Sequence, residues 1–368
     1  MPTISRLSSL AARFNRVRSG CAKAPARFVG IDVGIRHASV VSLVVDKRSL
    51  TQKSQPANLR WRSSHKVQIG VDPTSAPSPE WISTTVEALL NGLPRCVDGE
   101  NILAFISLPV PWIHYQVIAG RDIEGCRVQC DEMFLQSVFQ SDAHLSYWPV
   151  VGLQFGEPNE DDQFVVGAIA KRAACQIAET VANAGYNLHS ILPHGVALIQ
   201  AAESLTGMEP RAVAMINRDG GCIAVNNLSG CGLCRPLPAI PVQILRQAGN
   251  KPLILDEVRP WLSDVAAEIT ATIRFSERTN MVDQKDSPVL ICGEACQIPG
   301  LDEIIAKLTN QPVARWQFNS LRRPNRRLSA STTRIAPDPT LSADDTHYAL
   351  ALSLAHQAAA TAYGEAKA

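Results

Sequence analysis

The sequence has almost no net charge, no long apolar run and no recognisable secretory signal. Its 368 residues hold 35 Lys and Arg against 34 Asp and Glu, so the net charge of +1 gives no electrostatic reason to expect a nucleic-acid partner. No apolar run reaches the roughly 18 residues of a membrane-spanning helix. The C-terminal segment comes nearest, but His347, His356 and Gln357 interrupt it. We therefore expect neither a nucleic-acid-binding protein nor one that crosses a membrane.

Closely paired cysteines are also scarce. The ten cysteines are scattered, and no secretory signal precedes them, so we expect free thiols in a reducing cytoplasm. Cys231 and Cys234 have the spacing of a zinc-ligand pair. A structural zinc site normally needs four ligands, and no second pair of this spacing accompanies them, which argues against zinc.

The stretch at residues 28–43 predicts a buried strand, a tight glycine turn and a second strand that runs back. Asp32 ends the first strand, where the turn would expose its carboxylate. Gly34 has no Cβ, so it can adopt a positive φ and let a ligand approach the backbone. Such a hairpin offers amide N–H groups to an anion, and Asp32 is a candidate ligand for a hydrated divalent cation. An ordinary core hairpin with an aspartate in its turn explains the same pattern.

Two later stretches repeat parts of this plan. Residues 212–225 again predict an apolar strand, a polar glycine turn and an apolar strand. Residues 288–301 predict a buried strand followed by a glycine turn that opens a helix. The two halves of the chain therefore amount to a distant internal repeat.

Two such hairpins followed by a strand, a glycine turn and a helix resemble, in this order, the two phosphate loops and the adenosine loop of the actin-like ATPases. Within that superfamily the chain resembles the type IV pilus assembly family PilM, a relative of the cell-division protein FtsA. The resemblance rests on Gly-Ile-Asp-Val-Gly at residues 30–34 and on residues 164–170, 290–301 and 348–355. It runs from about residue 28 to about residue 355.

The resemblance implies an α/β protein with the actin-like ATPase fold, in which two RNase H-like domains face a cleft and the first carries an inserted FtsA/PilM-type subdomain. The expected parts are a basic tail at 1–27, a first domain at 28–108 and 163–205, the insertion at 109–162, and a second domain at 211–368 with a reduced subdomain at about 235–262. The tail is rich in Arg and Lys and has no acidic residue. A disordered tail, an amphipathic segment on an anionic membrane and a transit-peptide-like segment all remain open for it.

Local signals fix several elements. Ser78, Pro79 and Glu80 are typical of the start of a helix, and Gly185 of the end of one. Residues 102–108 predict a buried strand and 163–170 a strand of the first domain. Residues 320–345, rich in Arg, Pro, Ser and Thr, predict a loop.

By resemblance, ATP and Mg²⁺ would lie against the three glycine turns, with Asp32 as the metal ligand. The residues expected to line this cleft are Asp32, Gly34, Ile35, Arg36, His37, Asn217, Asp219, Gly220, Gly221, Gly293 and Glu294.

Several of these residues depart from the family pattern. Small hydroxyl residues are expected where the chain has Ile35, Arg36 and His37, and a lysine where it has Ser39.

The second and third turns depart from the pattern as well. Asn217 replaces an aspartate, and an amide can neither act as a general base nor add charge for magnesium. Asp219 replaces a glycine and would repel phosphate, while Glu294 replaces a glycine that should touch the nucleotide. These changes predict weak or lost ATP binding and no enzymatic turnover.

Three functions remain open. The first is a PilM-like cytoplasmic scaffold of a type IV pilus or type II secretion-like assembly, peripheral to the inner membrane, which binds the cytoplasmic N-terminal segment of a PilN-like inner-membrane protein. Other pilus-assembly proteins or a second copy of the chain are further expected partners. The second is an active sugar or acetate kinase of the same superfold, and the third is an FtsA-like filament-forming protein. The changed loops argue against the kinase, and the C-terminal motifs favour PilM over FtsA.

Overall fold

The computed structural model describes residues 27–34, 37–45, 58–68, 78–94, 100–109, 112–119, 143–149, 163–206, 208–218, 220–227, 230–241, 244, 255–278, 287–316, 334–336 and 348–365. The strands are β1 (Arg27–Val33), β2 (His37–Val45), β3 (Asn58–Gln68), β4 (Ile102–Leu108), β5 (His114–Ala119), β6 (Ala143–Pro149), β7 (Gln163–Ala170), β8 (Asn187–Pro193), β9 (Ala212–Asn217), β10 (Gly220–Asn227), β11 (Gly230–Leu237), β12 (Val289–Cys292), β13 (Val313–Arg315) and β14 (Arg334–Ala336). The helices are α1 (Pro79–Asn91), α2 (Lys171–Asn183), α3 (His194–Thr206), α4 (Leu255–Arg278), α5 (Leu301–Thr309) and α6 (Ala349–Glu365).

The two halves of the chain build sheets with the same strand order. The first sheet runs β14-β3-β2-β1-β4-β8, and the second runs β11-β10-β9-β12-β13. In each sheet the first three strands of the half are antiparallel, and the next two join in parallel beside the first strand. Apart from β14, the second half therefore repeats the first, as the sequence predicted.

Side chains alternate between the two faces of each central strand. Val29, Ile31 and Val33 of β1 pack with α1 and α2, while Phe28 belongs to the central cluster between the two sheets. In β9, Ala214 and its alternate neighbours likewise pack towards α4 and α5, and the others face the centre. Both faces of these strands are buried, which explains why they are apolar almost throughout.

The last helix of each half packs against the sheet of the other half. The helix α3 lies on β9, β10 and β11, and α6 lies on β1, β2 and β4. Gly30 permits the second contact, because a Cβ there would collide with the backbone of α6 at Ala351 and Ala355. The two helices also bond to each other, since Nε2 of Gln357 donates to the carbonyl oxygen of Ala197 at 2.7 Å. This exchange of helices ties the halves into one core.

The predicted helix boundaries are confirmed. The Ser78 hydroxyl accepts the amide N–H of Trp81 at 3.2 Å, so it caps α1. At the end of α2, Gly185 has a φ of +85°. Its N–H donates to Ala182 at 2.9 Å, and the N–H of Tyr186 donates to Val181 at 3.0 Å, which is a Schellman ending.

A separate three-stranded antiparallel sheet, β5-β7-β6, lies within the first half. Its strand β7 was expected in the sheet of the first domain, but it is the middle strand of this small sheet. The sheet of the insertion therefore extends to Ala170, beyond the expected boundary at residue 162. An apolar strand carries no local signal for which neighbours it will choose, so this pairing was not visible in the sequence.

Three further expectations need correction. Arg27, which was assigned to the basic tail, is the first residue of β1, and its fully buried side chain donates to Ser42 at 2.8 Å and to the carbonyl oxygen of Pro94 at 3.0 Å. The predicted loop at 320–345 contains β14, which pairs with β3. The helix α4 begins at Leu255, so the end of the expected reduced subdomain falls inside it.

No described helix combines the length and apolar character needed to cross a membrane.

Candidate functional site

The candidate site lies where the central strands of the two sheets end. Since β1, β4 and β8 are parallel neighbours, their carboxyl ends share one edge of the first sheet. Asp32 lies near this edge on β1, and α3 begins directly after β8. In the second sheet β9 and β12 are also parallel neighbours. Asn217, the last residue of β9, and Gly293, the residue after β12, therefore lie at one edge of that sheet. Ligands of open α/β sheets bind outside such carboxyl ends.

Asp32 faces His194, the first residue of α3. Oδ1 of Asp32 and Nε2 of His194 are 3.1 Å apart, and their side chains are 13% and 7% exposed. Neither atom has an aligned hydrogen-bond partner in the described part of the chain, so this contact is a close approach of a carboxylate and an imidazole without a hydrogen bond. The carboxylate of Asp32, which was expected to bind the metal, therefore faces the imidazole of His194.

Two serines extend the polar surface beside Asp32. Ser39 on β2 and Ser107 on β4 are the register partners of Asp32 on either side. Both are buried, and neither hydroxyl has a hydrogen-bond partner among the described residues. Buried polar groups in proteins are nearly always bonded. We therefore include the polar row formed by Ser39, Asp32 and Ser107 in the candidate site. Neither serine was among the residues predicted to line the cleft, although Ser39 was noted as standing where the family has a lysine.

The second and third turns hold each other through a reciprocal pair of hydrogen bonds. Oδ1 of Asn217 accepts the amide N–H of Glu294 at 2.9 Å. In return, Oε2 of Glu294 accepts the amide N–H of Arg218 at 2.9 Å and lies 3.6 Å from Nε of the Arg218 guanidinium. We call these three residues, together with Gly293, the clasp.

Gly293 makes the clasp possible. It has a φ of +91°, and a Cβ at this position would collide with Oδ1 of Asn217 and lie 2.8 Å from the carbonyl oxygen of Ile216. The residue therefore lets the third turn approach the second turn closely. The glycine at this turn serves a contact within the protein.

The other glycines of the predicted site are required by the hairpins themselves. Gly34 donates its N–H to the carbonyl oxygen of His37 at 2.9 Å, and a Cβ on Gly34 would collide with that same oxygen. Its φ does not have the positive value that the sequence allowed for. Gly220 has a φ of +98°, and a Cβ on Gly221 would collide with the carbonyl oxygen of Met215. His37 begins β2 and is partly buried. The remaining predicted site residues, Ile35, Arg36 and Asp219, lie outside the described residues.

The start of α3 lies against the second sheet. A Cβ on Gly195, the residue after His194, would collide with Sγ of Cys234 and with Cβ of Ala224. Cys292, the residue before Gly293, is fully buried, and burial raises the pKa of its thiol well above the ordinary value. The structure thus brings two groups of site residues to one region, Asp32 with His194 and the members of the clasp.

Two of these contacts involve groups that, by the resemblance, would meet a magnesium–nucleotide complex. Asp32 is opposed by His194, and the amide of Arg218 is already bonded to a carboxylate. Within the described ranges no group of three or more His, Cys, Asp and Glu side chains is arranged to hold a metal ion. A phosphate at the second turn would meet the negative charge of Glu294.

Sequence reasoning missed His194 and the role of Arg218. His194 follows β8, and Ser107 on β4 is in register with Leu192 on β8, two residues before the histidine. A polar residue directly after a strand parallel to β1 was the available signal, since such strands end at one edge. The Arg218 contact depends on the fold of both turns, and no local signal predicts it.

The comparisons with known proteins agree with this architecture. No protein-family model matches the chain, and no curated protein matches its sequence. A chain of the PilM–PilN type IV pilus biogenesis complex matches the structure with a TM-score of 0.62 and 13% identity, over 90% of this chain and 98% of the other.

Two further solved structures match more weakly. The ethanolamine utilization protein EutJ from Carboxydothermus hydrogenoformans has a TM-score of 0.42 and 15% identity, over 91% of this chain and 90% of the other. The cytoplasmic domain of EpsL, an inner-membrane component of the type II secretion system of Vibrio cholerae, has a TM-score of 0.40 and 11% identity, over 91% of this chain and 95% of the other. Neither adds to the assignment.

The chain therefore has the actin-like ATPase fold. Within that fold it is similar to PilM over nearly its whole length.

Proposed function

We propose that this protein is a scaffold of a type IV pilus or related secretion assembly, which acts through its surfaces and not through ATP turnover. The observation that carries the proposal is the match to a chain of the PilM–PilN complex over 90% of this chain. A shared fold does not assign a function, so the surfaces and the site must supply the rest.

The site supports a role without catalysis. A phosphoryl-transfer enzyme of this fold would need an acid beside the second turn, where the chain has Asn217. The amide oxygen of Asn217 is engaged by the N–H of Glu294, so it holds two loops together. This arrangement favours the scaffold over the kinase alternative, with ATP binding weak or lost.

The proposed partner is the cytoplasmic N-terminal segment of a PilN-like inner-membrane protein. An extended segment can add to the edge of a sheet through main-chain hydrogen bonds. In the described part of the small sheet, β5 and β6 are the two outer strands. We propose that the segment docks along one of these strands, in the insertion of the first half.

We further propose that the protein works at the cytoplasmic face of the inner membrane. The first 26 residues include five basic residues and no acidic one. Each Lys or Arg close to an anionic membrane adds about 1 kcal/mol of binding free energy. The partner and this basic segment would together hold the chain at the membrane.

The test is a pull-down of the full chain with the N-terminal segment of the PilN-like protein from the same cell, with a scrambled peptide of equal composition as control. Amide hydrogen exchange of the complex then locates the segment. We expect slower exchange in β5 or β6, and no change in β13, an outer strand of the second sheet. The middle strand β7 serves as an internal reference.

Each outcome separates the alternatives. Failure of the folded protein to bind the segment, with and without ATP, would overturn the proposed function and leave the fold alone. Protection confined to the second half would contradict the docking position. Filaments formed on addition of ATP would favour the FtsA-like alternative.

A further inference from the structure

We propose that the carboxylate of Glu294 is a built-in anion that occupies the anion-binding amide of the β9–β10 turn and thereby keeps nucleotide phosphate out. This inference deepens the proposed function, on which it rests, because it names the contact responsible for weak ATP binding. It makes the clasp an autoinhibitory contact. Changing one residue would therefore partly reverse the loss of nucleotide binding.

The first step is the position of the amide. Arg218 lies in the turn between β9 and β10, and a backbone N–H in a turn is a donor that an anion can use. Its N–H donates to Oε2 of Glu294 at 2.9 Å. The same oxygen lies 3.6 Å from Nε of the guanidinium. An amide and a guanidinium converging on one anionic oxygen is the donor set that binds a phosphate oxygen.

The second step is how firmly Glu294 is held. The residue is 8% exposed, and its own N–H is bonded to Asn217 at 2.9 Å. Gly293 lets the backbone reach this position, and the short 3-10 helix Glu294–Gln297 continues from it. The carboxylate is thus oriented by its backbone and held ready for the Arg218 amide.

The third step is competition. A phosphate oxygen brought to the Arg218 amide must displace a charge-assisted hydrogen bond and come to rest beside a carboxylate of the same sign. The Glu294 carboxylate is already part of the protein, so it loses no translational freedom when it binds the Arg218 amide. ATP does lose translational freedom when it binds. The carboxylate therefore outcompetes the phosphate at ordinary ATP concentrations.

Two variants separate charge from contact. Glu294→Gln removes the charge but keeps an oxygen that can accept the N–H of Arg218, and Glu294→Ala removes both. Glu303→Gln is the matched control, because it changes the net charge by the same amount at an exposed position on α5. ATP with Mg²⁺ is titrated into each full-length protein by calorimetry, and exchange of the Arg218 amide is followed by mass spectrometry.

We expect Glu294→Ala to bind ATP at least about tenfold more tightly than the unmodified protein, with Glu294→Gln between them and Glu303→Gln unchanged. The Arg218 amide should exchange faster in Glu294→Ala and become protected again when ATP is added. Circular dichroism and thermal melting check that each variant is folded.

Two results would overturn the inference, and two others would contradict the proposed function. A folded Glu294→Ala or Glu294→Gln that binds ATP no better than the unmodified protein shows that Glu294 is not the barrier. If Glu294→Ala does not fold, Glu294→Gln decides. Rapid exchange of the Arg218 amide in the unmodified protein shows that the contact is not maintained. Tight ATP binding by the unmodified protein would instead contradict the loss of nucleotide binding in the proposed function, and failure to bind the PilN-like segment would contradict its scaffold part.

Discussion

Asp32 and His194 oppose each other at the edge of the first sheet, with Oδ1 and Nε2 3.1 Å apart and both side chains mostly buried. The aspartate is the penultimate residue of β1, and the histidine is the first residue of α3, which packs on the second sheet. The contact therefore joins the candidate site to the helix that packs on the other sheet.

A double-mutant cycle measures this contact. His194→Ala leaves the Asp32 carboxylate buried without its neighbour, which should lower the free energy of unfolding by about 1–3 kcal/mol. Asp32→Asn together with His194→Ala should cost less than the sum of the single changes. Urea unfolding of the four proteins gives the coupling free energy. Additive costs would show that the two side chains do not interact.

Gly30 should tolerate no side chain. Gly30→Ala drives a Cβ into the backbone of α6 at Ala351 and Ala355, so we expect a loss of about 1–3 kcal/mol or more in the free energy of unfolding. Ala351→Gly should not rescue the variant, because the atoms that collide belong to the backbone. Gly300→Ala is the control, since a Cβ there meets nothing within 4 Å and costs only the strain of its positive φ. Equal stability of the two variants in urea would contradict the packing of α6 on β1.

Residues close together in the sequence predicted several helices and strands. How the strands pair, and which side chains bond across turns, depends on residues far apart in the sequence. The serine cap of α1, the glycine end of α2 and the strand β4 depend on neighbouring residues, so they were visible in the sequence. The partners of β7 depend on strands distant in the sequence, and so does the contact between Glu294 and Arg218. Glu294 itself was recognised as a misfit at a nucleotide-binding position, but the group that its carboxylate binds could not be foreseen.

The buried thiols should resist alkylation. A hydrogen bond with Cys222, together with burial, raises the pKa of the Cys234 thiol well above its ordinary value, and burial does the same for Cys292. Since the thiolate is the reactive form, iodoacetamide at about pH 8 should label the exposed Cys175 before the other cysteines whose side chains the structure describes, and spare Cys222, Cys234 and Cys292 until the protein is unfolded. Peptide mapping by mass spectrometry measures the order. Native labelling of Cys234 as fast as Cys175 would show that the central cluster is open.

The pair of Asp302 and Arg315 should make stability depend on acid pH. Partial burial raises the pKa of Asp302, but the hydrogen bond and charge of Arg315, 2.7 Å away, together with hydrogen bonds from the backbone of Asp302 and Glu303, lower the pKa below its ordinary value. The carboxylate therefore stabilises the fold fully above the pKa of the unfolded chain, near about 4, and less as pH falls through the lower folded value.

Asp302→Asn tests this dependence. It should lower the free energy of unfolding by about 1–2 kcal/mol at neutral pH, and the difference from the unmodified protein should shrink below about pH 4. Urea unfolding as a function of pH measures it, with the exposed Glu303→Gln as the control. A difference that stays constant down to the lowest pH would show that Arg315 does not stabilise the charged carboxylate.

The affinity of the full chain for the N-terminal segment of the PilN-like protein, measured by calorimetry with and without ATP and Mg²⁺, tests the central claim most directly. If the protein is a scaffold and Glu294 occupies the Arg218 amide of its β9–β10 turn, it should bind the segment with the same affinity in both conditions. It should also release no phosphate during binding. Binding that appears only with ATP, or ATP hydrolysis at rates typical of kinases, would contradict this account.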